Sequence, residues 1–381
     1  MKSHLRLFCC IICVIMVLLC MAACAAKEKE EVKTANETVL LTEIPTATPI
    51  EKIPVTALPA QVTEQPTPLP TPEPTETPTE EPTPEPTPEP TPEPVATRAP
   101  KEGDIATVNF PDYDTGVDAD YSYQSDELRI AIKVVADAEA KQTVYVADIW
   151  MRSLDSFRTV FARGEYNKGT EEGDVLAKNE NAILAVNGSY NQGLVIHSGT
   201  KYRNSRPADG WNSQACCVIY KDGSMKTFVL RKDKFDVNKE LKNGAWHAWQ
   251  FGPVLIRDYE PGPDYARYKL GYKARNMLGY YEPGHYVLVT CDAYRDDAQG
   301  MTEEDMMQFM KSLGVKDAFN LDGGISSVMV FMGEVINRPT PHGNGEVGRE
   351  LVDMLVFAEY DADGNAPDLS TVTADKFKGR E

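Results

Sequence analysis

The sequence predicts an α+β fold: a single domain with a mixed, mostly antiparallel β-sheet core and a few packing helices, preceded by a signal segment and a disordered proline-rich stalk. Three observations lead there. Eighteen of the 27 prolines fall between Pro45 and Pro100, so the proline excess belongs to a linker and not to a fold. Beyond that linker, short β-prone runs outnumber helical stripes, the pattern of a sheet-based domain with few helices. Residues 101–381 also suffice for one large core, because burial on folding reaches about 75% of the unfolded surface near this size.

The elements follow in chain order. Leu128, Ile130, Ile132 and Val134 alternate with polar or small residues, and Gln142 to Met151 forms a second β-prone run. Asp174 to Asn181 reads as a short helix feeding a strand at Ala182 to Val186. Ala215 to Tyr220 is an apolar strand followed by Lys221-Asp222-Gly223-Ser224, a hairpin signal in which Asp-Gly supplies the positive φ. Trp246 to Phe251 and His285 to Cys291 are further strands. The clearest helix starts at Thr302, which forms a capping-box variant with Asp305. Its apolar stripe of Met306, Met307, Phe309, Met310 and Leu313 is a packing face, and Gly314 is placed to cap its C-terminus. A tight turn at Asp322-Gly323-Gly324 and strands at Val328 to Met332 and Leu351 to Ala358 complete the set.

The N-terminal stretch has a different character. Lys2 and Arg6 precede an apolar run from Leu7 to Leu19, and Met21-Ala22-Ala23-Cys24 closes it with small residues, the order of an export signal. Small residues before a terminal Cys resemble the bacterial lipobox, which makes Cys24 a lipidation site and residues 1–24 a lipoprotein-type signal. The alternative is an uncleaved anchor, since Leu7 to Ala26 is long enough to span a bilayer. Either way the rest of the chain is expected outside the bacterial cell membrane, tethered to it. Residues 25–100 collapse into Thr-Pro-Glu-Pro units, a polyproline II spacer with a reach on the order of 180 Å. Residues 101–127 are an ordered strap or more linker, residues 128–360 the globular domain, and residues 361–381 a tail.

Charge and cysteines exclude some functions. The formal net charge is −19, and the stretch 27–100 carries 14 Glu against five Lys or Arg. The acidic remainder has no basic run that could neutralise a nucleic-acid backbone, so nucleic acid is not an expected partner. Five of the eight cysteines lie in the signal segment, leaving Cys216, Cys217 and Cys291, which are read as buried free thiols. His197, His247, His285 and His342 show no metal-ligand spacing, so no metal or other cofactor is expected.

Four polar clusters interrupt the strands at their ends: Asn187-Gly188-Ser189-Tyr190, Arg275-Asn276-Met277-Leu278-Gly279, Asp292, and Asn320-Leu321-Asp322-Gly323-Gly324-Ile325-Ser326-Ser327. In the last, a carboxylate, two glycines and two hydroxyls within six residues can surround an anionic group with N–H and O–H donors. The plainer alternatives stay open: Asp322 as a turn residue, Asp292 as a strand-end cap or a metal ligand, Arg275 and Arg349 as surface ion-pair residues.

Taken in order, these clusters, with Phe251-Gly252-Pro253-Val254-Leu255-Ile256 between them and Arg349 after them, resemble the phosphodiester glycosidase family over about residues 128–360. The resemblance implies hydrolysis of the sugar C–O bond in sugar-1-phosphate diesters, such as N-acetylglucosamine-1-phosphodiesters of cell-envelope or environmental glycans. By the same resemblance Asp292, Asp322 and Arg275 are catalytic, while Asn187, Gly188, Gly323, Gly324, Ser326, Ser327 and Arg349 bind substrate. Two positions depart from the family pattern: Ile325 stands where a third glycine is usual, and Asn191 where an aromatic is usual. The chemistry suits these residues. A phosphodiester leaving group needs cationic and N–H stabilisation more than a strong acid, and carboxylates serve the oxocarbenium-like sugar. The competing expectations are a non-catalytic glycan- or phosphosugar-binding module and a metal-dependent phosphodiesterase cutting the P–O bond.

Overall fold

The computed structural model describes residues 101–379 apart from 106–107, 112–117, 191–192, 205–213, 268, 341–347, 362 and 374–375. The chain divides into units 1–87 and 88–381, and every described residue lies in the second. Cys24, the signal segment and the stalk therefore fall outside the described residues, as does His342.

Three sheets form the domain. The largest has nine strands in the order Glu260–Pro261, Val254–Arg257, Asp317–Asn320, Arg275–Glu282, His285–Cys291, Gln142–Met151, Leu128–Asp137, Tyr121–Gln124, Phe377–Lys378. A second sheet runs Thr200–Asn204, Leu194–His197, Ala245–Phe251, Ala215–Tyr220, Met225–Val229. The third runs Glu334–Val335, Met329–Phe331, Leu184–Asn187, Asp353–Phe357, Phe157–Phe161. Every strand pairing among the described residues is antiparallel, which corrects the expectation of a mixed sheet. The reason is connectivity: a parallel pair needs a long crossover, usually helical. The described α-helices are only Gly173–Asn179, Val237–Lys242 and Glu303–Ser312.

The fold continues past 128–360 at both ends. Tyr121–Gln124 pairs with Leu128–Asp137 on one side and with Phe377–Lys378 on the other. The alternation in Leu128–Asp137 places Leu128, Ile130 and Ile132 in the main core, where Phe157, Trp249, Phe319 and Phe357 also pack. Cys216 and Cys217 are neighbours on one strand and point to opposite faces, so they enter two different core clusters as buried free thiols. The helix Glu303–Ser312 has the expected capping box between Thr302 and Asp305, and Met306, Met307 and Met310 bury against Leu255, Met277 and Val289.

Candidate active site

The site is built where two sheets meet. Asn187 ends the strand Leu184–Asn187 of the third sheet, and Asn320 ends Asp317–Asn320 of the first. The loops after them are stitched by backbone and side chain together. Asp322 N–H donates to the Gly188 carbonyl at 3.1 Å, and Asn187 Nδ2 donates to the Asp322 carbonyl at 2.8 Å. Asn187 Oδ1 accepts from Val328 N–H at 3.1 Å and from Asn276 Nδ2, whose Oδ1 in turn accepts from Thr290 Oγ1 at 2.7 Å. Asn187 and Asn276 are thus buried scaffold residues with their polar atoms spent, and they hold the Asp322 turn in place.

The Asp322 side chain keeps 15% of its surface exposed. Its Oδ1 accepts from Gly323 N–H at 2.9 Å, and its Oδ2 pairs with Arg349 Nη2 at 3.3 Å. Burial raises its pKa while Arg349, the Ser326 hydroxyl and Gly323 N–H oppose the shift. The Ser326 hydroxyl is close enough to favour the charged carboxylate, yet it meets no partner in hydrogen-bond geometry. Arg349 lies over the ring of Tyr190 at 4.6 Å, a cation–π contact that fixes the guanidinium, and its Nε has no partner.

Beneath the turn is a carboxylate that no sequence motif marked. Asp353, 2% exposed, opens the strand Asp353–Phe357 and points into the space left by Gly188. Ser189 N–H donates to its Oδ2 at 3.3 Å, and among the described residues no cation offsets its charge. Burial, with Asp322 adding to it, pushes its pKa up to about 7. Burial thus favours the uncharged form of Asp353, while Arg349 favours the charged form of Asp322. The available signal was one Asp inside the apolar run Leu351 to Ala358, a charged residue at a core position.

Gly323 and Gly324 are placed as close-approach residues. A Cβ at Gly323 would lie 2.7 Å from the Ala274 carbonyl, and Gly324 has φ +67° with its N–H bonded to that same carbonyl at 2.8 Å. Ile325, in place of a third glycine, lies outside the positive-φ region, so the substitution costs no backbone strain. Its carbonyl accepts from Arg349 N–H at 3.3 Å and so helps to position that arginine. Asn191 lies outside the described residues.

Two residues expected to be catalytic make their side-chain hydrogen bonds to partners other than Asp322. Arg275, 2% exposed, donates from Nε to the Met301 carbonyl at 3.0 Å and from Nη2 to the Gly271 carbonyl at 2.8 Å. Burial lowers its pKa, and Glu303 partly offsets that shift. Asp292, 1% exposed, accepts from Asn337 Nδ2 at 3.0 Å, from Arg338 N–H at 3.1 Å and from Arg295 Nη2 at 3.1 Å. Asn337 Nδ2 also donates to the Ser327 carbonyl at 3.2 Å, so Asp292 clamps the loops around the serines. Asp292 and Asp322 thus have separate partner sets. The hydroxyls of Ser189, Ser326 and Ser327 are buried without partners. A cavity of about 470 Å³ lined by Glu102, Asp104, Glu127 and Glu359 contains none of these residues.

The SPbeta prophage-derived uncharacterized protein YomE of Bacillus subtilis is 29% identical over 198 residues, 49% of this chain. The chain spans only about a third of that relative, 30% of its length. Among solved structures, the catalytic domain of zebrafish N-acetylglucosamine-1-phosphodiester α-N-acetylglucosaminidase, auto-inhibited by its pro-peptide, matches at TM-score 0.48 and 23% identity, over 61% of this chain and 83% of that one. A hypothetical protein from Synechocystis matches at TM-score 0.42 and 11% identity, over 61% of this chain and 62% of that one. The model of the phosphodiester glycosidase family matches residues 172–358, a span that contains Asn187, Gly188, Asp322, Arg349 and Asp353.

Proposed function

We propose that this protein hydrolyses the glycosidic C–O bond of a sugar-1-phosphate diester, with Asp322 as the catalytic carboxylate and Arg349 as the phosphate-binding cation. The observation that carries the reading is the Asp322–Arg349 pair, bordered by unpartnered Ser189 and Ser326 hydroxyls and underlaid by Asp353. Arg349 has a free Nε and further guanidinium donors to offer a phosphate, and the serines add neutral donors. As the C1–O bond breaks, its electron pair leaves on the phosphate oxygen, which Arg349 stabilises, while the Asp322 carboxylate balances the positive charge developing at C1. Water supplies the oxygen that completes the reducing sugar. Asp353 acts through Asp322 as a positioning residue: held uncharged by burial, it adds little negative charge beside the catalytic carboxylate. Arg275 and Asp292 brace the surrounding loops in this scheme.

The resemblance of residues 1–24 to a lipoprotein signal supports placing the domain outside the cell membrane, tethered through Cys24 and carried on the Pro-Thr-Glu spacer. The substrate class is then a phosphoglycan or glycosyl phosphodiester of the cell envelope or its surroundings.

The test is product analysis in ¹⁸O-labelled water with UDP-N-acetylglucosamine and with the methyl phosphodiester of N-acetylglucosamine-1-phosphate. Label in the released sugar, with turnover lost in Asp322→Asn and Arg349→Ala, is the expected result. Label in the phosphate would mean P–O cleavage and would overturn the reading. Sugar-phosphate binding without turnover in the wild type would point to a binding module.

A further inference from the structure

An aromatic cluster lies one strand away from the carboxylate pair. Phe161 is the register partner of Asp353, so the two side chains share one face of the third sheet, and Gly188 flanks Asp353 on the opposite strand. The Phe161 ring stacks on His197 at 4.2 Å between centroids. Tyr202 and Tyr166 meet Phe161 edge-on at 5.0 and 5.3 Å, and each other at 5.5 Å. Phe161 lies on the edge strand of the third sheet and Tyr202 on the edge strand of the second, so the rings close the seam between two sheet edges. Phe161 and His197 form the buried floor, whereas Tyr202 is 44% exposed and Tyr166 is half-buried.

Packing alone does not account for this cluster. The strand Thr200–Asn204 is exposed along its whole length, and a large ring on it would be solvated were it not held against Phe161 and Tyr166. His197, only 4% exposed, has both ring nitrogens without a hydrogen-bond partner, so a polar group is stored under the rings with its bonding capacity unspent. Burial beside His247 keeps it neutral, which suits a stacked floor.

We propose that Tyr202 and Tyr166, over Phe161 and His197, form a sugar subsite that stacks a pyranose ring of the substrate next to the Asp322–Asp353 pair. This rests on the glycosidase reading and names how the substrate's sugar is held. A pyranose has an apolar C–H face and a polar rim, the complement of a tyrosine face with a hydroxyl tip. The Asn191 departure removes the aromatic expected in the Asn187 loop, and this seam supplies stacking surface from another pair of strands. Substrates should bind through the ring contact and react through Asp322, so the subsite governs KM more than kcat.

The experiment is a saturation-transfer NMR titration of the full chain with the methyl α-glycosides of N-acetylglucosamine, glucose and galactose, which carry neither phosphate nor base. At least one should bind the wild type, about tenfold more weakly to Tyr202→Ala, and within about twofold of wild type to Tyr202→Phe. No binding of any of the three, equal binding by Tyr202→Ala, or loss in Tyr202→Phe would overturn the subsite. Because the probes need no hydrolysis, a protein that binds them through Tyr202 but never turns over a diester would sink the glycosidase reading and leave the subsite standing.

Discussion

The carboxylate of Asp353 occupies the volume that a side chain on Gly188 would need: a Cβ there would lie 2.5 Å from Oδ2 and 2.9 Å from Oδ1. Glycine at 188 is therefore a requirement of the carboxylate under it, and its backbone is not in the positive-φ region that would call for glycine on other grounds. Gly188→Ala should displace Asp353 and, through the Gly188 carbonyl that accepts from Asp322 N–H, shift Asp322 as well. A displacement near 1 Å is enough to cost about 100-fold in turnover. The expected result is a fall in kcat of that order, read by release of reducing sugar, in a variant that still folds by circular dichroism.

Asp353 also sets a dependence on pH. Its folded-state pKa is about 7 against an ordinary 3.8, so the folded protein holds this proton more tightly than the unfolded chain. Its contribution to stability is fully present below about pH 4, declines as pH rises, and is gone above about pH 7. A shift of this size corresponds to a difference on the order of 4 kcal/mol. Asp353→Asn keeps the neutral form at every pH, so its melting temperature should fall less between pH 5 and pH 8 than that of the wild type. Activity between pH 5 and pH 6 should be kept in the same variant, since a neutral side chain at 353 leaves Asp322 free of like-charge repulsion. Parallel melting curves for the two proteins would show that Asp353 does not titrate in this window.

These two residues mark what could be read from the sequence. Gly188 was legible because Asn-Gly-Ser-Tyr breaks an apolar strand, and Asp322 because Asp-Gly-Gly followed by two serines concentrates donors around one carboxylate. The helix Glu303–Ser312 was legible for the same local reason, its cap and stripe lying within a dozen residues. Asp353 was not, because its meaning comes from Gly188 on the next strand and Asp322 on the next loop, and neither is near it in sequence. Asp292 and Arg275 were singled out as catalytic candidates, with a strand-end cap or metal ligand and a surface ion pair as the plainer readings, and their buried anchoring was not legible. Their partners Arg295, Asn337, Arg338, Met301 and Gly271 follow from how the loops close. A mostly antiparallel sheet was expected, but that every described pairing is antiparallel was not legible, since strand direction depends on connections that periodicity does not encode.

Arg349 and Tyr190 give a prediction that separates charge from geometry. The guanidinium is planar, stacks on the Tyr190 ring and reaches Asp322 with one nitrogen while leaving others for a phosphate. Lysine keeps the charge but loses the flat stack and the fork. Arg349→Lys should therefore lose much of the leaving-group stabilisation, a fall in kcat of about 100-fold, the scale for removing one charge-stabilising donor. Tyr190→Leu should show a smaller loss, about fivefold, corresponding to an exposed cation–π contact. A lysine variant with wild-type kcat would move the phosphate site away from Arg349.

The tether is tested independently of the chemistry. If Cys24 is diacylated, cells expressing the full chain will incorporate radiolabelled palmitate into it and retain it in the membrane fraction. Cys24→Ala should lose the label. Retention at the membrane without label would identify an uncleaved signal anchor.

Asp292 tests whether a buried carboxylate in this domain serves the reaction or the scaffold. It is 1% exposed, and its oxygens are taken by Asn337, Arg338 N–H and Arg295, the last of which also donates to Asp297 and to the Arg338 carbonyl. Removing the charge weakens the contact to Arg295, which is 21% exposed and keeps Asp297, and leaves a single acceptor oxygen for the donors at 337 and 338, a loss on the order of 2 kcal/mol. Asp292→Asn should therefore lower the denaturation midpoint sharply. A folded fraction at low temperature should keep kcat within a few-fold of wild type, since none of these partners is Asp322 or Arg349. Asp322→Asn should do the opposite: it removes one partly exposed ion pair, so its stability should change by no more than about 1 kcal/mol while turnover disappears. If Asp292→Asn instead abolished turnover at unchanged stability, the carboxylate would belong to the reaction, and the clamp it makes between the loops at 295 and 337–338 would have to open during catalysis.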